Sequence, residues 1–557
     1  VLQARDRRLA SLPRYLVQLP WIGPIQGGMI PEGGEQLLQL GAASDPVLGE
    51  ALRAAYLPVS RADGRFVRAG GGWVAPTRAN AEGRFRFEAP LQWWDGPIAG
   101  VLMLLVYDRS TTVYDPQARK NAGRVFPPTW SGQLEYFKAG MKVDATSPVA
   151  DLPPPMREEL EKRIDQLLQR PASELELGLG LIELDRRAAA ANLTFAVASC
   201  QYPANFVDGD VAQRSYKRLQ ARMSDPIEHQ RPRCLLLVGD QVYIDATAGL
   251  FDPSALSDRY DLPYERLLQT EPLRHVLRRI PLYTMLDDHE IEDNWEPSDS
   301  PESRENLVNG RKYFREYQRI AWPRTAASDP LWQRFKFGDF PFFLVDTRTE
   351  REARTAGNFD TARIMKPQQW DALRHWLDEY RKKDMPMFIA SPSSFLPRHR
   401  RATHGPSGAG ALRSDGWDGY PASFHDIVRH IAANSIRNVV FLSGDEHISF
   451  ATKAVIRDGS GNEVTRILSI HSSGLYAPFS FANAALDNLA CCESFPSGPY
   501  RCEVSTEFAP PGDGFTLVRA WRDNGRWRIR CCFDREPPAP EVCFDREPPA
   551  EVWIDLA

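Results

Sequence analysis

Five short motifs carry most of the chemistry open to this sequence. They are Ser199-Cys200; Gly239-Asp240 with Tyr243 three residues on; Asp287-Asp288-His289-Glu290 with Asn294 shortly after; Asp346 with Arg348; and Gly444-Asp445-Glu446-His447. Carboxylates, imidazoles, a phenol and a thiol are side chains that ligate cations. Carboxylate and amide oxygens suit Ca2+, Mg2+ or Mn2+, whereas thiolate and phenolate donors favour a more strongly acidic ion such as ferric iron or zinc. A carboxylate can bridge two cations about 3.5–4 Å apart, the spacing used in two-metal phosphoryl transfer. Each motif alone has an ordinary explanation. An Asp after a strand usually caps a turn or helix, a lone His is usually a hydrogen-bonded structural residue, and a lone Cys on a strand is usually core. Capping does not account for five such endings in one series.

Each motif closes an apolar run of strand length: LTFAVASC (193–200), CLLLVGD (234–240), PLYTMLDD (281–288), FPFFLVDTR (340–348) and VVFLSGDEH (439–447). MPMFIASPS (385–393) and TRILSIHSSG (465–474) are further runs, and PQQWDALRHWLDEY (367–380) has helical periodicity. Runs apolar on both faces and separated by helices predict an α/β (α+β) core, its sheets flanked by helices. Ligands of such sheets bind beyond the carboxyl ends of the strands, so the motifs are expected to meet in one cleft. Residues 1–150 read as a mostly β domain, with polar–apolar alternation in RFRF (84–87) and glycine breakers at Gly70, Gly71 and Gly72. After Pro153, Pro154 and Pro155, residues Leu160, Ile164, Leu167 and Leu168 have helical spacing and predict a helical linker over 151–190. The catalytic domain is expected over 191–530. Residues 531–557 read as a tail whose near-identical segments from Cys532 and Cys543 are too short for a solenoid repeat.

At 557 residues the chain is too long for one core. Its formal net charge of -5 gives no electrostatic footprint for nucleic acid, so no nucleic-acid partner is expected. The most apolar run, Pro97 to Tyr107, is about half of the ~20 residues a spanning helix needs and reads as a core strand. The chain starts at Val1, and Arg5, Asp6, Arg7 and Arg8 interrupt any leader. A soluble cytoplasmic protein is favoured over a periplasmic or secreted one with its leader removed. Cys491, Cys492, Cys502, Cys531, Cys532 and Cys543 lie near the end and form no CxxC pair, which argues against a zinc ribbon. Disulfides and buried thiols both remain open for them.

The order SC, GDQVY, DDHE, DTR and GDEH, with SDGWDGYPA (414–422) and KPQQW (366–370), resembles the alkaline phosphatase D (PhoD-like) group of metallophosphoesterases over roughly residues 193–480. The resemblance implies hydrolysis of phosphate esters by a metal-activated hydroxide. Carried over, Cys200, Asp240, Tyr243 and His447 would bind a ferric ion. Asp240 would bridge to one or two Ca2+ ions, or to Zn2+, Mn2+ or Mg2+, with Asp288 and Asp445 as further ligands and Asp287 and Asn294 at a second calcium. His289 or Arg348 would stabilise charge on the phosphoryl group or the leaving oxygen. The same metals serve phosphodiesterase or phospholipase D-type chemistry, so the substrate is a small-molecule or lipid phosphoester. A non-catalytic metal-containing binding module is the alternative of a different class. A serine hydrolase is disfavoured, because no GxSxG elbow is present. His471, Ser472 and His404 are secondary candidates for the cleft. Trp417 and Tyr420 either wall it or fill the core.

Overall fold

The computed structural model describes residues 21–26, 36–43, 52–62, 65–68, 77–78, 84–91, 100–107, 179–183, 192–203, 209–245, 256–277, 279–318, 330–403, 406–477, 488–535 and 551–556. Two compact units emerge, one of Val1–Ala189, Leu268–Leu282 and Tyr317–Arg324, the other of Ala190–Leu267, Tyr283–Glu316 and Thr325–Ala557.

The first unit contains strands β1 (Trp21–Gln26), β2 (Gln36–Ala43), β3 (Leu52–Ala62), β4 (Arg65–Arg68), β5 (Thr77–Arg78), β6 (Arg84–Leu91), β7 (Gly100–Tyr107) and β8 (Leu179–Glu183). They pair as β1-β2-β6 and as β4-β3-β7-β8 with β5 on β3. The apolar run read as a core strand forms β7. Of the helical linker expected over 151–190, the described residues are Leu179–Glu183, which form strand β8 paired with β7 rather than helix; the rest lies outside the described residues.

Two mixed sheets make the second unit. One has the order β11-β10-β9-β21-β22-β23 with β18 beside β9. Its strands are β9 (Asn192–Gln201), β10 (Leu235–Val238), β11 (Leu282–Met285), β18 (Gly474–Tyr476), β21 (Gly514–Asp523), β22 (Arg526–Arg535) and β23 (Glu551–Leu556). The other, of eight strands, has the order β12-β13-β14-β15-β17-β16-β20-β19. It comprises β12 (Gln333–Phe337), β13 (Phe340–Leu344), β14 (Met387–Ala390), β15 (Val439–Ser443), β16 (Phe450–Arg457), β17 (Glu463–His471), β19 (Cys492–Ser497) and β20 (Tyr500–Phe508). Within the expected tail, the described residues belong to the first sheet: β22 runs through Arg535, and β23 (Glu551–Leu556) pairs antiparallel with it. The EVWIDL segment is a short β-branched and aromatic run, Val552-Trp553-Ile554, between two acidic residues, and that composition suits a strand.

Central strands β13, β14 and β15 run parallel and are buried along their whole length. Outer β20 instead alternates buried and exposed residues. The central burial is two-sided because the sheet has a neighbour on each face. On one face Phe342 and Phe388 meet Phe195 of β9 edge-on, with ring centroids 5.4 and 5.0 Å apart. On the other, Phe343, Ile389 and Phe441 share a core with helices α1 (Pro367–Tyr380) and α2 (Pro421–Ala433). Leu373, Trp376 and Leu377 of α1 and Phe424, Ile427, Val428 and Ile431 of α2 supply the apolar stripes, and each helix starts with a proline in its first turn. Seven cysteines among the described residues are free thiols, of which Cys491 and Cys492 are exposed. Among the described residues, no helix is long and apolar enough to cross a membrane.

Candidate metal centre

Strand register brings the motifs together. In the parallel pair β9–β10, Leu237 lies opposite Ala198. The ladder continues past the end of β10, with Cys200 N–H on the Gly239 carbonyl (3.2 Å) and Gln201 N–H on that of Asp240 (2.8 Å). From the second sheet, the β15 terminus packs directly on β9: a Cβ on Gly444 would sit 2.3 Å from Ser199 Oγ. Gly239, at φ +106°, likewise leaves no room for a side chain, since a Cβ there would lie 2.7 Å from that of Asp287. The glycines of both GD motifs therefore allow three chain segments to approach. Of nine non-glycine residues with positive φ among the described residues, five belong to the motifs: Cys200, Asp240, Asn294, Asp445 and His447. Such conformations cost about 1–3 kcal/mol each and persist only where surrounding contacts over-determine them.

One ligand oxygen from each of Asp240, Asp287, Asp288 and Asp445 lies within 4.8 Å of the others, and Asp240, Asp288 and His289 form an overlapping group. Cys200 Sγ is 3.4 Å from Asp240 Oδ2 and 3.9 Å from the Asp445 carbonyl oxygen. Tyr243 OH is 3.3 Å from His447 Nε2. Burial, followed by repulsion from neighbouring carboxylates, pushes the carboxyls of Asp240 and Asp445 well above their ordinary range. Burial raises Asp287 to about 7 despite its Arg348 partner. The Cys200 thiol and Tyr243 phenol are raised by burial and by the negative groups around them. At Asp288 burial is outweighed by Arg348 and His289, which hold the carboxyl below its usual value. Asp240 Oδ1, Asp287 Oδ2 and Asp288 Oδ1 are buried without a hydrogen-bond partner, although Arg348 Nη2 lies 3.5 Å from the last. Unpaired buried carboxylate oxygens are costly. The donor set and its uncompensated negative charge both fit cations.

The remaining groups hold this cluster. Glu290 accepts backbone N–H groups from Asp240 (3.1 Å), Gln241 (2.7 Å) and Asp287 (2.8 Å), tying the loop after β11 to the loop after β10. Its carboxylate therefore serves the backbone. His289 Nδ1 lies 2.8 Å from Asp245 Oδ2, and its ring sits on that of Tyr243 with centroids 3.9 Å apart. Burial opposes the imidazolium, but Asp288 and Asp245 outweigh it and raise His289 to about 9. Sequence reasoning passed over Asp245, whose signal is its place two residues beyond Tyr243 in the same post-strand loop. Asn294 donates its backbone N–H to Asp288 Oδ2 (2.7 Å), while its side-chain amide donates to Asp293 (2.9 Å).

Arg348 is wholly buried, and protein groups engage its guanidinium on every side. Nε donates to Asp287 Oδ1 (2.7 Å), Nη1 to Asp415 Oδ1 (3.1 Å) and the Trp295 carbonyl (3.3 Å), and Nη2 to Asp415 Oδ2 (2.5 Å). Asp346 is a turn residue, accepting N–H groups from Arg348 (3.1 Å) and Thr349 (2.7 Å). His471 Nδ1 is 2.9 Å from Ser443 Oγ, its Nε2 accepts the Glu446 N–H (3.3 Å), and burial lowers it to about 3. Trp417 and Tyr420 belong to the hydrophobic core. His404 lies outside the described residues.

The fold and the site together define an α/β protein whose strand-end loops converge on a buried acidic cluster of metal-ligand geometry. Residues 195–486, more than half of the chain, match the family described as PhoD-like phosphatase, and the chain belongs to that family. Alkaline phosphatase D of Bacillus subtilis (strain 168) is 24% identical over 300 residues, covering 48% of this chain and 47% of that protein. The chain thus spans about half the length of this curated relative. A solved structure described as the structure of PhoD shares the fold, with a TM-score of 0.53 and 14% identity over 94% of this chain and 87% of the other.

Proposed function

We propose that this chain hydrolyses phosphate esters at a metal centre in the unit that begins at about residue 191 and is completed by β23. The buried carboxylate oxygens of Asp240, Asp287 and Asp288 that lack any hydrogen-bond partner carry this reading. Family membership supplies the reaction class. Cys200, Asp240, Tyr243 and His447 form the donor set suited to ferric iron. Asp240, Asp287, Asp288, Asn294 and Asp445 offer oxygens suited to calcium or to Zn2+, Mn2+ or Mg2+. Bound cations supply the charge that binds phosphoryl oxygens and lowers the pKa of a water nucleophile. His289, with Nδ1 held by Asp245, is the proton donor to the leaving oxygen through Nε2. Arg348 acts one step back, orienting Asp287 and Asp288.

Elemental analysis of purified protein, paired with hydrolysis rates on phosphate monoesters and diesters, tests the reading. At least one tightly bound metal per chain is expected, with activity lost in chelator and restored by metal. Less than one metal per chain, or rates indifferent to chelator, would overturn it. Bound metal without hydrolysis of either ester class would leave a binding module. The ratio of monoester to diester rates assigns the substrate class.

Asp245→Asn should lower kcat while leaving KM nearly unchanged, by no more than the roughly 10²–10⁴-fold that a positioned acid contributes. The loss should shrink for esters with good leaving groups such as nitrophenolate, which need no proton. An equal loss across leaving groups would remove His289 from the acid role.

A further inference from the structure

The turn from Ser414 to Asp418 carries two aspartates outside the acidic cluster, yet each reaches a different half of it. Asp415 receives Arg348 through both terminal nitrogens (2.5 and 3.1 Å) and Arg351 Nη1 (2.5 Å). Arg348 in turn holds Asp287 at 2.7 Å, with Asp288 at 3.5 Å. Asp418 Oδ2 accepts the His399 backbone N–H (2.5 Å) and lies 3.2 Å from His399 Nδ1. Ser414 Oγ stands 3.0 Å from the same ring nitrogen. On its far side, His399 Nε2 meets Glu446 Oε1. Glu446 separates Asp445 from His447, two residues at φ 86° and 51° whose backbone must be held. The turn itself is anchored in the core: Trp417 is fully buried, its indole N–H donates to Ser391 Oγ (2.9 Å), and its backbone N–H donates to the Ser394 carbonyl (3.1 Å).

We infer that the Ser414–Asp418 turn is a positioning element joining the two halves of the candidate metal centre: Asp415 acts through Arg348 on Asp287 and Asp288, and Asp418 acts through His399 and Glu446 on Asp445 and His447. This role rests on the metal reading proposed above. One rigid turn then sets the spacing between carboxylates contributed by different sheets, and it governs how tightly both halves retain metal. Groups that orient metal ligands typically change metal affinity about 10–100-fold when altered.

Asp415→Glu and Asp418→Glu keep the charge, so the buried arginines and His399 stay paired, but displace it by one methylene. Metal-loaded wild type and variants are challenged with excess chelator. Metal release is followed by elemental analysis, and alkylation of Cys200 by peptide mass mapping, which separates it from exposed Cys491 and Cys492. Both variants should release metal about 10–100-fold faster than wild type. Both should also hasten Cys200 labelling, including Asp415→Glu, whose direct partners lie on the other half. Release within twofold of wild type overturns the inference, as does faster release by Asp415→Glu with Cys200 still protected. If a glutamate variant does not fold, His399→Gln, which removes the ring joining Asp418 and Ser414 to Glu446, carries the same expectation and the same refutation. Wild type without bound metal would remove the metal reading itself. Metal-bound wild type with unaltered variants would remove only the joining role of the turn.

Discussion

Asp240→Asn is expected to reduce turnover by at least about 10²–10³, the scale of removing one preorganised electrostatic group from an active site, and to raise the melting temperature of the metal-free protein. Both effects follow from one position. Asp240 belongs to both groups of converging ligand atoms and lies 3.4 Å from the Cys200 thiol. Asp288 shares membership of both groups, but Asp240 also lies against the Cys200 thiol, so under the proposed metal reading it would serve both the thiolate–phenolate and the all-oxygen sides. Without metal, its charge has little support: Oδ1 lacks a partner, and burial together with Asp288 and Asp287 opposes ionisation. An isosteric amide removes that repulsion but cannot bridge cations. Turnover and metal content of the variant, with thermal melts in chelator, provide the check. Near wild-type turnover would sink the ligand assignment. A lower metal-free melting temperature would mean that Asp240 is chiefly a structural acceptor.

The metal-free protein is expected to lose stability as pH rises from about 5.5 to 8, whereas the metal-loaded protein gains or holds it. Burial raises Asp287 to about 7 and Glu290 to about 8, against ordinary values of roughly 3.9 and 4.3. Asp240 and Asp445 move in the same direction. A carboxyl raised in the folded state is protonated in both states at low pH and contributes nothing there. Above about pH 4 the unfolded chain ionises first, so the folded protein binds more protons and its stability falls with pH. That loss accumulates until the folded groups ionise, near pH 7 for Asp287 and pH 8 for Glu290. Raising one carboxyl by a single pH unit on folding corresponds to about 1.4 kcal/mol, and each kcal/mol to about 2–4 °C in Tm for a domain of a few hundred residues. A fall of several degrees in chelator is therefore expected. Bound cations favour the ionised carboxylates and reverse the sign. Thermal melts at the two pH values, with and without chelator, decide the matter. A metal-free Tm that is flat or rising with pH would show that the cluster's charge is already balanced by protein groups.

The elements that carry the site were legible in the sequence because their signals are local. Each of the seven apolar runs contains a strand, among them β9, β10 and β13, and the periodic segment starting at Pro367 is helix α1 to the residue. A continuous apolar run bounded by Gly, Asp or Pro needs only its own residues to reveal it. Convergence of the motifs was also readable, since parallel strands place their carboxyl ends together.

Which residue types stand at the strand ends, and so the chemistry within reach, is written in the order of amino acids. What each of them touches depends on how distant segments pack. Glu290 looks like a fourth ligand in DDHE but binds backbone amides 49 and 50 residues away. Arg348 looks poised for a phosphoryl group but is enclosed by Asp287 and Asp415. Asp245 is marked only by its place two residues beyond Tyr243, and the Asp415–Asp418 turn only by the resemblance of SDGWDGYPA; neither signal names the groups these aspartates hold. Likewise β21, far downstream of β9, pairs with it antiparallel, and β18 pairs with the carboxyl end of the same strand. A carboxylate that binds metal and one that holds a neighbouring loop are the same residue type after the same kind of strand. What separates them is whether buried donors from distant segments reach their oxygens, and packing alone settles that.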